Sequence, residues 1–291
     1  MAAMDSIQHL LAEGDALARS AADAALWPRL DWLDRLELHL PDDPAHADAC
    51  LGAEVAARLR ALRDTLEARN RTLYAALREA IAAGERQRLA ALLAARGAGA
   101  TPPDAAEGFD ALDELVAGVL SLPLPGAPAV ALGADMVAYQ PTPARHVLDL
   151  LRRTALTADD VLVDLGAGLG QVPLLAALCT PARARGIEIE PAYVAVARAA
   201  AAALRLHRAR FDCQDLRHAD LANGSVFYLY TPLRGALLAE LLQRLRALAA
   251  ARPLRICAFG PCVAVLATEP WLRVDGQAQP HRVTVFKAGP G

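Results

Sequence analysis

From the first residue to about Leu120, apolar side chains recur at intervals of three and four, the spacing of a helix with one buried face. "SIQHLLAEGDALA" and "PRLDWLDRLELHL" show it, as does the longer span from Glu54 to Ala95. Within that span "LYAALREAIAAGERQRLAALLAAR" consists largely of strong helix formers, with Arg–Glu pairs on its outer face. No strand pattern interrupts this half. The polar stretch "EARNRT" reads as the joint between two long helices packed as an antiparallel hairpin in a small bundle. "RGAGATPPDAAEG", residues 96–108, is a loop by composition; "FDALDELVAGVL" is a further helix and "PLPGAPAV" a second break.

After Gly133 the texture changes. Thr142 followed by Pro143 reads as a helix start, with the hydroxyl as cap and the proline in the first turn, opening the helix "PARHVLDLLRRTAL". Short β-rich runs then alternate with helices: "VLVDL" (161–165), "RGIEI" (185–189), "RARFDCQ" (208–214), "SVFYLYT" (225–231) and "LRICAF" (254–259). A late pair around "WLRV" and "RVTVFKA" has no long helix between its members. The alternation predicts an α/β fold, a mostly parallel sheet covered on both faces, with an antiparallel hairpin at its edge. The expected organisation is a helical domain over residues 1–128 and a sheet domain over 129–291.

Composition narrows the function classes. The 291-residue chain is 55% hydrophobic and 22% charged, enough to bury a core in each half. A net charge of −3 offers no basic stripe for phosphates, which argues against a nucleic-acid partner. Lys287 is the only lysine, a bias expected of a GC-rich bacterial genome. Cys50, Cys179, Cys213, Cys257 and Cys262 are scattered without C-x-x-C spacing, predicting reduced structural thiols, and the histidines have no metal-ligand spacing. No apolar run reaches the roughly 18 residues of a membrane span, and the acidic, amphipathic start is unlike a signal peptide. A cytoplasmic protein with no membrane partner is the expectation.

The candidate chemistry begins at "DLGAGLGQV". In an open α/β sheet, ligands sit beyond the carboxyl ends of the strands, where Gly166, Gly168 and Gly170 would let the backbone turn tightly beside one. A dinucleotide fingerprint would need glycine where Gln171 stands, and Asp164 would repel a pyrophosphate resting on the helix amides. A nicotinamide-dependent oxidoreductase is therefore disfavoured. A carboxylate here suits a ligand with a cationic amino group, such as the methionine end of S-adenosylmethionine. Glu188 in "GIEIEP" lies where an acidic side chain takes ribose hydroxyls, and Asp215 in "CQDL" where one accepts the adenine amine; Glu190, just before Pro191, is the cap of the next helix.

"VLVDLGAGLGQV", "GIEIEPAYVAVARAAA", "FDCQDL" and "VFYLYTPL" resemble, in order and spacing, the signature of class I S-adenosylmethionine-dependent methyltransferases, over residues 135 to 287. More narrowly, "DLGAGLGQV" and "YQPTP" look like the subgroup of the disruptor-of-telomeric-silencing histone lysine methyltransferases and the ATP synthase c-subunit lysine methyltransferases. The resemblance implies a Rossmann-like sheet and S-adenosylmethionine as cofactor. It places Asp164, Gly166, Gly168 and Gly170 at the methionine end, with Gln171 opening the helix beneath. It gives Glu188 the ribose and Asp215 the adenine, with Tyr139 and Thr142 closing over the methionine carboxylate. A Tyr139 ring packed on the sheet edge, and a Thr142 that only caps a helix, stay as the alternatives.

Many amine methyltransferases carry Asn/Asp-Pro-Pro-aromatic at the fourth strand tip; here Tyr230 and Thr231 precede Pro232. Strand alternation puts Tyr228 and Tyr230 on one face, so Tyr230 and Thr231 would reach the reacting methyl and its acceptor. Tyr228 reads as core, Cys262 as unactivated, His218 as a surface histidine, and Phe259 or Pro261 as shaping the acceptor pocket. The resemblance implies methyl transfer to a protein or peptide side chain, lysine first. A small-molecule or natural-product acceptor, or a scaffold that binds S-adenosylmethionine without catalysis, are the alternatives. The helical half is expected to bind the acceptor or to form a homodimer.

Overall fold

The computed structural model describes residues 2–20, 22–97 and 110–290, so the loop expected at 96–108 falls, apart from its first two residues, outside the described residues. The chain divides into two compact units, one holding the helices up to Val119 and one running from Leu120 to Gly291.

The first unit contains α1 (Ala2–Arg19), α2 (Leu26–Glu37), α3 (Pro44–Leu51), α4 (Ala53–Ala82), α5 (Gln87–Gly97) and nearly all of α6 (Ala111–Leu120). The apolar stripes of α1, α2 and α4 meet in a core of Ile7, Leu10, Trp32, Leu36, Leu59 and Leu66. Trp32, fully buried, keeps its ring nitrogen satisfied by donating to the Leu10 carbonyl at 2.9 Å. The expected joint at "EARNRT" does not exist: α4 runs through it unbroken for 30 residues. The stretch holds no glycine or proline to break the helix. Two of its polar side chains find partners without breaking the helix: Asn70 is buried and accepts from Arg29 Nε at 2.7 Å, and the Thr72 hydroxyl donates back to the Ala68 carbonyl at 3.0 Å. The chain turns only later, around Gly84.

Gly118 of α6 lies flat against Tyr74 of α4. A Cβ there would stand 2.2 Å from the tyrosine ring. Arg78 Nη1 donates to the Gly118 carbonyl at 2.5 Å and holds the same crossing. Gly118→Ala is expected to destabilise the protein by about 1–3 kcal/mol through overpacking, seen as a lower urea midpoint by circular dichroism. An unchanged midpoint would show that the crossing yields without cost.

The second unit is one seven-stranded sheet: β1 (Val161–Leu165), β2 (Arg183–Glu188), β3 (Ala209–Cys213), β4 (Val226–Tyr230), β5 (Leu254–Phe259), β6 (Arg273–Val274) and β7 (Thr284–Ala288). The order is β3-β2-β1-β4-β5-β7-β6. β1 to β5 are parallel, and β7 is antiparallel to both β5 and β6, which gives the expected hairpin edge. α10 (Gly235–Ala251) and α11 (Cys262–Leu266) join the core on the face of Val163, Leu165, Phe227 and Leu229. α8 (Gln171–Cys179) packs on β1, β2 and β3; α7 (Ala144–Thr154) touches α8, and α9 (Pro191–Ala203) touches β2 and β3. The chain moves outward from β1 to β3 and then returns to place β4 beside β1. That reversal is a topological switch point, where the two flanking turns diverge and leave a crevice at the carboxyl ends.

Candidate functional site

A cavity of about 220 Å³ opens at that switch point. β1 contributes Asp164, the turn after it Gly166 and Ala167, β2 Glu188, and the segment after β3 Gln214 and Asp215. β4 and its continuation contribute Tyr228, Tyr230, Thr231 and Pro232. Tyr139, Thr142 and Gln171 complete the set, so nine of the expected side chains and turn residues share one cavity; Gly168 and Gly170 do not line it.

Asp164 is buried in mid-sheet, paired in register with Gly186 of β2 and Tyr228 of β4. Among the described residues no arginine or lysine pairs with it. Burial first, and then the nearby Glu188 charge, push its carboxyl well above the usual range. Glu188 is held differently: Oε2 accepts from the Gly168 amide at 2.8 Å, and Oε1 from the amides of Ile189 and Glu190 at 2.8 and 2.9 Å. Three backbone donors fix its carboxylate at the cavity wall. Asp215 forms a bidentate pair with Arg217, at 3.0 Å from Nε and 2.7 Å from Nη2 to Oδ2, and the hydrogen bond to that guanidinium holds its pKa below the ordinary value. Four carboxylates therefore line the cavity, Asp164, Glu188 and Asp215 from three successive strand ends and Glu190 just after β2, and among the described residues Asp215 is the one of them with an ion-pair partner.

The glycine turn is shaped by what presses on it. Gly168 has φ +52°, and a Cβ there would sit 2.1 Å from the Tyr139 ring, which covers the turn and meets Tyr193 at 5.3 Å between centroids. Tyr139 thus packs on the turn itself, not on a sheet edge. Burial, with Asp164 next, pushes its phenol up to about 12, so it stays protonated. Gly170 faces away, against Phe211 and Ala197. Gln171 opens α8 as expected and reaches back, Nε2 donating to the Thr142 carbonyl at 2.8 Å. Thr142 is not a helix cap: α7 starts without a side-chain cap, and the Thr142 hydroxyl pairs with the buried Tyr228 hydroxyl at 2.8 Å. With the Tyr228 phenol buried against the sheet, that partner is worth more to the threonine than an exposed amide would be.

At the tip of β4, Tyr230 is half-buried with its ring on Phe259, 4.6 Å between centroids. Phe259 and Pro261 support this corner from outside the cavity lining. Thr231 has φ +44°; its hydroxyl donates to the Phe259 carbonyl at 3.1 Å and accepts from the Cys262 amide at 3.2 Å. Its proton is thus committed to the scaffold, whereas the Tyr230 hydroxyl has no hydrogen bond to the described residues. Burial raises the Cys262 thiol, so it is no nucleophile. His146 stacks on Phe259 at 4.6 Å and is pushed down to about 4 by burial, so it is neutral; His218 is exposed.

Of the segment 128–142, a strap along the cavity wall, sequence reasoning anticipated Tyr139 and Thr142 and missed the rest. The Glu190 Oε2 accepts from the amides of Ala129 and Val130, both at 2.9 Å, besides Oε1 capping α9 through Ala192 at 3.3 Å. Further on, Val137 donates to the Pro232 carbonyl at 3.1 Å, Arg234 donates to the Asp135 carbonyl at 2.8 Å, and Met136 bridges Leu233. The strap thereby adds Val130, Leu132, Met136 and Val137 to the cavity wall. The only trace in the sequence is the alternation of apolar residues in "AVALGADMV", which the flanking breaks obscure.

Residues 135–226 match the family described as Histone methylation protein DOT1. No curated protein matches the chain. Among solved structures, the chain is similar to an RNA methyltransferase from Salinibacter ruber in complex with S-adenosyl-L-homocysteine, with 29% identity over 52% of this chain and 94% of that one, TM-score 0.41. It is similar to the Pyrococcus abyssi tRNA (uracil-54, C5)-methyltransferase, also in complex with S-adenosyl-L-homocysteine: 18% identity, 52% and 40% coverage, TM-score 0.41. The putative methyltransferase yhhF from Escherichia coli gives 19% identity, 53% and 90% coverage, TM-score 0.45. An uncompensated buried carboxylate and a second one on the next strand suit a ligand with a cationic amino group and sugar hydroxyls, which S-adenosylmethionine has. The antiparallel β7 and the missing third glycine separate the sheet from dinucleotide binders. The family match spans β1 to β3 and the turn between them, and with that the second unit is a class I S-adenosylmethionine-dependent methyltransferase domain.

Proposed function

We propose that the chain methylates a protein or peptide side chain, lysine before others. Bound S-adenosylmethionine supplies a methyl group on a sulfonium, whose sulfur leaves as a neutral thioether. Asp164 takes the cationic amino group, Glu188 the ribose hydroxyls and Asp215 the adenine amine. Tyr139 and the strap keep water from the methionine end, where the bare carboxylate makes the strongest contact.

The observation that supports an amine acceptor is the part of the lining supplied by β4, the segment after it and the start of α10. Tyr228, Tyr230, Thr231, Pro232, Leu233 and Leu237 form it without one ionised side chain. An amine brought against such a wall favours its neutral form, because desolvation disfavours the ammonium. The proton leaves to solvent before attack, and the free lone pair is then available to displace the sulfur. Burial raises the Tyr230 phenol above its ordinary value, so its hydroxyl stays protonated and orients the amine as a hydrogen-bond partner. The family description, histone methylation, is consistent with a protein acceptor. We also propose that residues 1–128 serve acceptor binding or dimerisation.

Incubating the full chain with methyl-tritiated S-adenosylmethionine and a cell lysate tests the acceptor. Label recovered in protein and released on hydrolysis as methyllysine is the expected result; label confined to RNA or to small molecules overturns it. Tyr230→Phe is expected to lower turnover about tenfold while leaving S-adenosylhomocysteine affinity unchanged, the loss of one hydrogen bond made by the acceptor alone. Unreduced turnover would remove Tyr230 from the mechanism.

A further inference from the structure

The helical unit has a second cavity, about 700 Å³, bounded by the turn after α1, α2, the middle of α4 and the start of α5. Its charged lining is Arg29, Arg69, Arg88, Asp23 and Asp64. Both carboxylates are already engaged. Asp23 holds Arg88 through both oxygens, with Nη2 to Oδ1 at 2.7 Å, and the exposed Asp64 pairs with Arg63 at 3.6 Å.

Among the described residues neither Arg29 nor Arg69 forms an ion pair; Asp23, committed to Arg88, acts on Arg29 only through its more distant charge. Arg29 is only 3% exposed, yet its partners are neutral: Asn70 Oδ1 at 2.7 Å from Nε, and the Ala22 carbonyl at 3.4 Å from Nη1. Nε of Arg69 is buried and has no hydrogen-bond partner. The two guanidiniums also feel each other: burial first, and Arg69's like charge with it, draw the Arg29 pKa below its ordinary value. Buried donors are normally paired and buried charges normally compensated. A buried arginine bonded only to neutral groups, beside a second with an orphaned donor, is half of an ion-binding site. The hydroxyls of Thr65 and Thr72 line the same cavity with their protons already given to the carbonyls of Ala61 at 2.7 Å and Ala68 at 3.0 Å. They therefore present lone pairs, which accept from a ligand.

We infer that this cavity binds a small organic anion whose carboxylate or phosphate group lies between Arg29 and Arg69 and whose own hydroxyl or amino groups donate to Thr65 and Thr72. Guanidinium forks match the paired oxygens of both anions, and the volume exceeds what a bare ion fills. The site is independent of methyl transfer.

Titration calorimetry of the full chain with inorganic phosphate and with citrate, at ionic strength fixed by chloride, tests it. Saturable binding of at least one is expected, phosphate pointing to a phosphoester ligand and citrate to a carboxylate. Arg29→Gln alters a buried hydrogen bond and risks the fold, so Arg69→Gln, on a half-buried helix position, carries the test. It should weaken the anion at least about tenfold, the loss of a charge-assisted hydrogen bond, with S-adenosylhomocysteine affinity unchanged. Absence of saturable binding by both anions, or equal affinity in Arg69→Gln and the parent, overturns the inference.

Discussion

Asp164→Asn is expected to lose S-adenosylhomocysteine binding by about a hundredfold or more, while the ligand-free variant melts at a higher temperature than the parent. Both outcomes follow from one buried carboxylate. Burial, and after it the charge of Glu188, raise the Asp164 pKa well above its ordinary value. The folded state therefore holds this proton more tightly than the unfolded one. Stability from this group is complete below the unfolded value of about 3.9 and declines as pH rises toward the folded pKa. Above the folded pKa the whole penalty remains. Asparagine has nothing to ionise, so the variant's stability should not fall across that window. Binding runs the other way: a ligand ammonium favours the ionised carboxylate, so parent affinity should weaken as pH drops below the raised pKa, and the variant should lack this dependence. A buried ion pair broken at one partner costs about 3–5 kcal/mol, or more than a hundredfold. Calorimetry with S-adenosylhomocysteine and thermal melts from acid to neutral pH read both halves. Affinity within threefold of the parent, or a lowered melting point in the variant, would sink the assignment.

That Asp164 could be singled out from the chain alone reflects how local its signal is. A continuous apolar strand, a carboxylate near its tip and a glycine turn are consecutive residues, and so are "GIEIEP" and "CQDL". The parts that were hidden depend on partners far along the chain. "EARNRT" looks like a break until Asn70 is seen to face Arg29, 41 positions earlier in the chain. Thr142 looks like a cap because Pro143 follows it, whereas its hydroxyl partner, Tyr228, is 86 positions away. Thr231 looked free to touch an acceptor, but the carbonyl that takes its proton belongs to the neighbouring strand. Apart from Tyr139 and Thr142, the strap had little signal of its own: Glu190 was legible as a cap, yet its second oxygen receives two amides about 60 positions earlier in the chain. Local pattern specifies elements and the residues at their ends; which side chain meets which across the sheet is decided by packing.

The covering of the glycine turn by Tyr139 can be tested as a coupling. Gly168→Ala meets two costs, a left-handed backbone at φ +52° and a Cβ 2.1 Å from the Tyr139 ring. The first is about 1–2 kcal/mol for a non-glycine residue and the second about 1–3 kcal/mol of overpacking. The displaced Gly168 amide also releases Glu188, so S-adenosylhomocysteine affinity should fall about tenfold or more with the loss of a charge-assisted hydrogen bond. Tyr139→Ala removes the ring from both Gly168 and Tyr193 and is destabilising for its own reason, a lost half-buried contact. In the double variant the ring overlap is gone, but the backbone strain stays. Its destabilisation should therefore fall short of the sum of the single effects by about 1–3 kcal/mol, measured by urea unfolding. Strict additivity would mean that the ring moves aside freely and does not restrain the turn. In that case Glu188 would have to be held in place by the Ile189 and Glu190 amides alone, and Gly168→Ala would leave ligand affinity nearly intact.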